Sequence, residues 1–462
     1  MRASACTLFH LSIDACAARF TADAQGVDVV RAATLGDGIE RWEGDELKNL
    51  AQRWNVDPTM RQNCGLWVPS SGAATRMFGT IKRDAVVQNQ LWAAADKLAF
   101  GREWRRAVMA AHGDLQTITA MEAAKVLQEK LEGLPKGMVS FHVTEDGQEQ
   151  SAFEAHVALW KALQTHRPRA WFTVQENHKR AVAAHLADAP HASGVELTFP
   201  VQSPATDTPV MLANGDWLRN AQGEVERRPG GHGALLPLLE EVDVSFLVIR
   251  NIDNAPSPSR FEERLVWTKA MLADARAWDM ERRRMIESLD HEDSYHRRAV
   301  EAWLRKGGMN VEELEEELSM EALTELLKRP MRLVGVVKNQ GHAGGGPFWV
   351  RMENGLEKGM VRPQIVEAVE LNQVAQEKSV QGTHFNPVDM VCVLNPGASL
   401  EPYVDHSRYL KSQKEMGGQS VKILEHPGLW NGGMSGWLTR FVEIPTTCFQ
   451  PVKTALDLIQ RH

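Results

Sequence analysis

Cysteine is scarce: Cys6, Cys16, Cys64, Cys392 and Cys448 stand far apart in a chain of 462 residues. An odd, scattered set with no C-x-x-C pair argues against a disulfide framework and a zinc knuckle, and fits a reducing cytosol. Long apolar runs are missing too, since none reaches the roughly 18–20 residues of a membrane span. His10 and Asp14 interrupt the apolar residues after Arg2, so no signal peptide is expected and the cytoplasm is the default location. Basic residues are not in excess: the formal charge is −8. That balance gives no global electrostatic reason to bind nucleic acid or an anionic membrane, although a local basic pocket for a small phosphate stays open. No histidine pair at i, i+4 exists, so His384, His426 and Asp389 make no metal motif. A composition of 43% hydrophobic and 24% charged residues is that of an ordinary globular protein. Its length suits more than one domain, or one large domain with an insertion.

The most informative stretch present is VPSSGAATRM, Val68 to Met77. Gly65 to Pro69 has the pattern of a buried strand end, and Ser70 to Ala74 contains only small side chains. Thr75 to Lys82 then has helical character. A strand, a small-residue turn and a helix start leave backbone N–H groups free for an anion. Arg76 adds a planar fork of donors suited to phosphate. The competing reading is an ordinary turn followed by a surface arginine.

The first sixty residues look like a helical lead-in holding the tight turn TLGDGI, Thr34 to Ile39. Residues 78–132 have helical composition, and a Pro-Lys-Gly turn follows at 135–137. WFTVQ and VELTFPVQ have strand character, RPGGHGALLPLLEEV is a glycine turn opening a helix, and VSFLVIRNIDN is an apolar run suited to a strand buried on both faces. This alternation indicates an α/β layered fold with a mainly parallel sheet. Residues 258–330 break the rhythm with charged helical sequence, interrupted at Gly307-Gly308 and ended by Pro330; the charges suit solvated helix faces. Strand pattern resumes at RLVGVVKN, FWVRM, QIVEAVEL and MVCVL. The expected segments are a helical lead-in at 1–64, one half of the α/β domain at 65–257, a helical insertion at 258–330, and the other half with the C-terminal segment at 331–462.

Taken in order, these segments resemble the nucleotide-diphospho-sugar transferases, in particular the UDP-N-acetylhexosamine pyrophosphorylases, and most closely an uncharacterised bacterial domain-of-unknown-function family of that superfamily. The family loop Gly-Gly-x-Gly-Thr-Arg-Leu is similar to Ser71-Gly72-Ala73-Ala74-Thr75-Arg76-Met77. A Pro-Lys pair stands at Pro135-Lys136, and Phe-x-Gln at Phe199 to Gln202. A Gly-Asn-Gly turn is Gly231-His232-Gly233 here, and Val-Asp-Asn is Ile252-Asp253-Asn254. Val-Val-Glu is Ile365-Val366-Glu367, and the terminal Phe-x-Pro-x-Lys is Phe449 to Lys453. Ser71 and Ala74 replace two loop glycines, and His232 replaces the asparagine near the base, so nucleotide identity does not carry over.

The resemblance implies a Rossmann-like sheet with a helical insertion, its nucleotide-binding half at 65–257 and its sugar-binding half at 331–462. It also implies an Mg²⁺-dependent nucleotidyltransferase that joins a nucleoside triphosphate and a sugar-1-phosphate, or runs the reverse. Arg76 and the loop residues Ser71, Gly72, Ala73, Ala74 and Thr75 would hold the β- and γ-phosphates. Lys136 would serve the α-phosphate, Lys453 the sugar phosphate, and Asp253 the metal. Gln202, Gly231, His232, Gly233, Asn254 and Glu367 would contact the substrate. Against each stands a structural alternative: a solvated Lys136, a capping Asp253, a glycine turn needed only for its φ. GGGPFWV, Gly344 to Val350, suits a lid, while THFNPVDM and HPGLWNGGMSGW suit sugar recognition or a packed loop cluster. One rival function is a non-catalytic nucleotide-sugar-binding or regulatory protein on the same fold. A glycosyltransferase is disfavoured because Asp207 and Asp253 stand singly, without a D-x-D pair.

Overall fold

The computed structural model describes residues 9, 11–22, 27–72, 74–131, 133–287, 294–311, 314, 317–341, 344–353, 355–371 and 382–461. The chain forms two compact units, each assembled from discontinuous segments. The first comprises 1–46, 202–247 and 271–444, and the second 47–201, 248–270 and 445–462. The architecture is mixed α/β with a mainly parallel main sheet. No helix among the described residues is long and apolar enough to cross a membrane.

In the second unit, strands Cys64–Val68, Arg169–Phe172 and Glu196–Thr198 lie parallel in that order, with Leu66 beside Ala170 and Trp171 beside Thr198. Every residue of Cys64–Val68 and Arg169–Phe172 is buried, as expected of parallel strands covered on both faces. Trp54, Trp67, Trp104, Trp160, Phe141, Phe153 and Phe172 are among the largest fully buried side chains. Phe153 meets Phe172 edge-on at 5.1 Å. Helix Ala152–Ala162 begins with a Ser151–Glu154 capping box, which satisfies two of its free amides.

In the first unit, Thr34–Leu35, Gly38–Glu40, Leu438–Glu443 and Met331–Lys338 are parallel neighbours, and His384–Val393 pairs antiparallel with Met331–Lys338. Two antiparallel sheets accompany them. One joins Val29–Ala32, Gly346–Arg351 and Val361–Val366; the other joins Arg227–Pro229, Asp207–Leu212, Gln419–Glu425 and Leu410–Met416. Several sequence expectations change here. The described residues of the lead-in at 1–64 include the short strands Val29–Ala32, Thr34–Leu35 and Gly38–Glu40 besides helices, because Val29–Ala32 and Gly38–Glu40 find partners more than three hundred residues away. The TLGDGI turn has a packing role: a Cβ on Gly38 would stand 2.9 Å from Trp349 Nε1. GGGPFWV is mostly strand rather than lid, and THFNPVDM belongs to a fully buried strand rather than a recognition loop.

Within 258–330 the described residues form helices Phe261–Glu287, Ser294–Lys306 and Met320–Leu327. Gly308 adopts φ +76° at the break, and strand Met331–Lys338 starts directly after Pro330. This block is not a separate compact unit, since the chain passes from the second unit to the first inside Phe261–Glu287, at 270–271.

Candidate functional site

In the second unit the small-residue loop follows the C-terminal end of Cys64–Val68, where parallel sheets commonly receive ligands. Ser70 is 2% exposed and anchors the loop. Its Oγ–H donates to Thr173 O at 2.7 Å, and its N–H donates to Thr173 Oγ1 at 3.0 Å. Gln175 Nε2–H donates to Ser71 O at 2.9 Å. The helix expected over Thr75 to Lys82 is one α-helical turn, Thr75–Phe78, continued by the 3₁₀ segment Gly79–Lys82. Ala73 and the side chains of Thr75 and Arg76 lie outside the described residues.

The Pro-Lys-Gly turn is bonded to this loop by its main chain. Ala74 N–H donates to Leu134 O at 3.1 Å, and Lys136 N–H donates to Gly72 O at 3.2 Å. Gly137 lets the turn lie against the core, because a Cβ there would stand 2.4 Å from the Phe153 ring. Lys136 Nζ then reaches Asp253 Oδ1 at 2.6 Å, with the side chains 13% and 22% exposed. Asp253 belongs to the 3₁₀ segment Ile252–Asn254, just past strand Phe246–Arg250.

The C-terminal segment is fastened to the same turn. Val452 N–H donates to Asp253 O at 2.9 Å. Asn254, 3% exposed, donates from Nδ2 to Cys448 O at 3.1 Å and accepts the Gln450 N–H on Oδ1 at 3.0 Å. The buried Arg264 also donates to Cys448 O. Lys453 follows in an exposed position, its N–H donating to Asp457 Oδ2 at 2.9 Å. Behind this arrangement His156 is buried on helix Ala152–Ala162. Burial holds its pKa well below the ordinary range, and the charges of Arg250 and Arg264 lower it further.

A second group forms within the first unit. The His232 ring stacks on Trp430 at 4.3 Å and 26°, and His232 Nδ1 accepts the Leu429 N–H at 3.1 Å. That bond assigns the proton of the neutral ring to Nε2, which lies 3.6 Å from Glu367 Oε1. Trp430 Nε1–H donates to the same oxygen at 3.2 Å. Gly231 has φ +77°, and a Cβ on Gly233 would stand 2.0 Å from Pro427 O, so both glycines are demanded by close packing against the 425–433 segment. Beneath, Arg408 Nε–H donates to Glu370 Oε1 at 2.8 Å and Asn431 Nδ2–H donates to Glu370 Oε2 at 2.9 Å. His426 Nε2–H donates to Thr206 O at 2.7 Å. Gln202 reaches Thr206 Oγ1 at 3.2 Å and Asp207 Oδ1 at 3.3 Å. Burial raises the Asp207 pKa.

The sequence matches, over residues 9–462, the family described as Domain of unknown function (DUF4301). The chain belongs to that family. No curated protein matches it. Among solved structures, an Entamoeba histolytica protein assigned as a UDP-N-acetylglucosamine pyrophosphorylase is similar at 12% identity and TM-score 0.47, covering 89% of this chain and 80% of its own. A UDP-glucose pyrophosphorylase mutant from Leishmania major, in complex with UDP-glucose, is 12% identical at TM-score 0.44, covering 94% and 70%. A Trypanosoma brucei protein described as a UDP-glucose phosphorylase is 13% identical at TM-score 0.44, covering 96% and 73%.

Within this DUF4301 chain the expected site residues fall into two groups, one in each unit. Ser71, Gly72, Ala74, Lys136, Asp253 and Asn254 gather in the second, with Lys453 one residue from the Val452–Asp253 bond. Gly231, His232, Gly233 and Glu367 gather in the first, joined through Gly230, His426 and Thr206 to Gln202. Asn254 uses both ends of its amide to hold the backbone at Cys448 and Gln450. Thr173, Gln175 and Glu370 carry no role in the sequence reading, and Trp430 enters it only as part of HPGLWNGGMSGW. Thr173 and Gln175 carried a usable signal, standing directly after a strand of the parallel sheet.

Proposed function

We propose that this DUF4301 chain is an Mg²⁺-dependent nucleotidyltransferase that joins a nucleoside triphosphate to a sugar-1-phosphate with release of pyrophosphate, or runs the reverse. One observation carries the proposal: the loop at 70–74, Lys136 and Asp253, remote in sequence, are drawn together by the bonds at Gly72, Leu134 and Asp253. In such a transfer the sugar phosphate oxygen attacks the α-phosphorus and pyrophosphate leaves. The protein has chiefly to align these oxygens and offset their charge. Lys136 would serve the α-phosphate and the leaving oxygen, Lys453 the sugar phosphate, and the loop amides with Arg76 the β- and γ-phosphates.

The donor set suits a metal that arrives with phosphate. Among the described residues no three His, Cys, Asp or Glu gather as a metal site, and Mg²⁺ is commonly held by one or two carboxylates plus substrate phosphates and waters. Asp253 would hold it, and the ion when bound would offset phosphate charge.

A non-catalytic nucleotide-sugar-binding protein is the second reading. It is favoured by Ala74 N–H, which is already given to Leu134 O and is one amide fewer for phosphate. Incubation with a panel of triphosphates, sugar-1-phosphates and Mg²⁺ separates the two. Pyrophosphate release supports the enzyme; nucleotide-sugar binding without release across the panel supports the binding protein.

A further inference from the structure

Lys136 and Asp253 are each assigned a charged ligand, yet here they are paired with one another at 2.6 Å. We propose that Lys136 masks Asp253 against free divalent cations, so that metal reaches this carboxylate only with a polyphosphate that draws the ammonium away. The identity of the polyphosphate rests on the nucleotidyltransferase reading; the mask rests on the geometry alone.

Both ends of the pair are held from the main chain. Lys136 N–H is fixed to Gly72 O and Asp253 O to Val452 N–H, while the Phe153 ring leaves no room for a side chain at Gly137. The contact is therefore a preorganised one, and at 13% and 22% exposure water screens it only in part. A cation seeking Asp253 must displace the ammonium from Oδ1 or bind at Oδ2 beside it, and like charges that close repel. No three metal-ligating side chains gather among the described residues to offset that repulsion, and a lone carboxylate is a poor site for a hard dication. A polyphosphate changes both terms. Its oxygens give the Lys136 ammonium a strong charge-assisted partner, and they supply the missing oxygen ligands to the metal. The coupling is reciprocal, so metal strengthens polyphosphate binding by the same factor.

The test is Mn²⁺ binding to the full chain, read from the paramagnetic resonance of the free ion, with no nucleotide present. Wild type should bind weakly. Lys136→Met and Lys136→Gln should bind about tenfold more tightly, within the usual coupling range of roughly 5–150-fold, and adding Asp253→Asn should remove the gain. Equal Mn²⁺ affinity in wild type and both lysine variants overturns the proposal. So does failure of both variants to fold, which would make the pair a structural requirement. Calorimetry with inorganic tripolyphosphate supplies the other arm: Mn²⁺ should tighten its binding to wild type and lose that effect in Asp253→Asn. Unmasked metal binding in the lysine variants, with no tripolyphosphate binding to wild type, keeps the mask and overturns the nucleotidyltransferase reading.

Discussion

Asn254 Nδ2–H donates to Cys448 O at 3.1 Å while its Oδ1 accepts the Gln450 N–H at 3.0 Å, so one buried amide clamps the C-terminal segment to the turn that carries Asp253. Two residues past Gln450, Val452 bonds Asp253 itself. The clamp thereby fixes the register of the segment leading to Lys453.

Asn254→Ala should destabilise the protein by roughly 1–2 kcal/mol, because the Gln450 N–H loses its acceptor while Cys448 O keeps only the Arg264 donor. Urea unfolding measures this. Unchanged stability together with a raised KM would return Asn254 to a substrate-binding role.

Lys136→Met should stay folded and lose activity by on the order of a hundredfold or more, the effect of removing a preorganised cation from developing phosphate charge. Its stability loss should exceed the ~0.5 kcal/mol of an ordinary surface change, reaching roughly 1–2 kcal/mol, since it leaves a partly buried carboxylate without its partner. Melting temperature and turnover are compared on the same preparation. Undiminished turnover would place the chemistry elsewhere.

Two glycine substitutions separate packing from ligand approach. Gly233→Ala should destabilise by about 1–3 kcal/mol, because the new Cβ would fall 2.0 Å from Pro427 O. Gly72→Ala meets nothing within 4 Å and should fold like wild type, within about 0.5 kcal/mol. Any activity lost in Gly72→Ala then reports on the approach of a ligand to the loop. A destabilised Gly72→Ala would instead give this glycine a packing role.

Stability should depend on pH through His426. Burial pushes its pKa down to about 4, against the opposing hydrogen bond to Thr206 O. The folded value lies below the unfolded value of about 6.5, so the unfolded chain binds the proton first. The stability linked to this ring is complete above about pH 6.5 and falls as pH drops toward 4, by on the order of 3 kcal/mol. The buried His156 acts in the same direction. Urea titrations at pH 7 and pH 4.5 should show a smaller loss for His426→Gln than for wild type. Parallel losses would show that His426 is not responsible.

Much of this was legible in the sequence, and the exceptions have physical causes. Cys64–Val68 and Phe246–Arg250 announce themselves as apolar runs because each is buried along its whole length, and glycines or polar residues mark the loops that follow. The strands Val29–Ala32 and Gly38–Glu40 do not, since each is short and gains its pairing only from residues far along the chain. The two units were hidden for the same reason: their segments interleave, and the chain changes unit inside helix Phe261–Glu287 without any compositional mark. Lys136 and Asp253 could each be named as charged residues at turns, but their pairing depends on tertiary structure. The Trp430–Glu367–His232 contacts join three separate segments, and no local periodicity encodes them.

The most direct measurement of nucleotidyl transfer is isotope exchange in the reverse direction. The chain is incubated with a panel of nucleotide sugars, Mg²⁺ and radiolabelled pyrophosphate, and the nucleoside triphosphates are separated and counted. Label should enter a triphosphate with wild type, require Mg²⁺, and fall sharply in Lys136→Met and Asp253→Asn. A nucleotide sugar that binds to the folded wild type while no label enters any triphosphate, across the panel, would contradict the transferase and make this chain a binding protein.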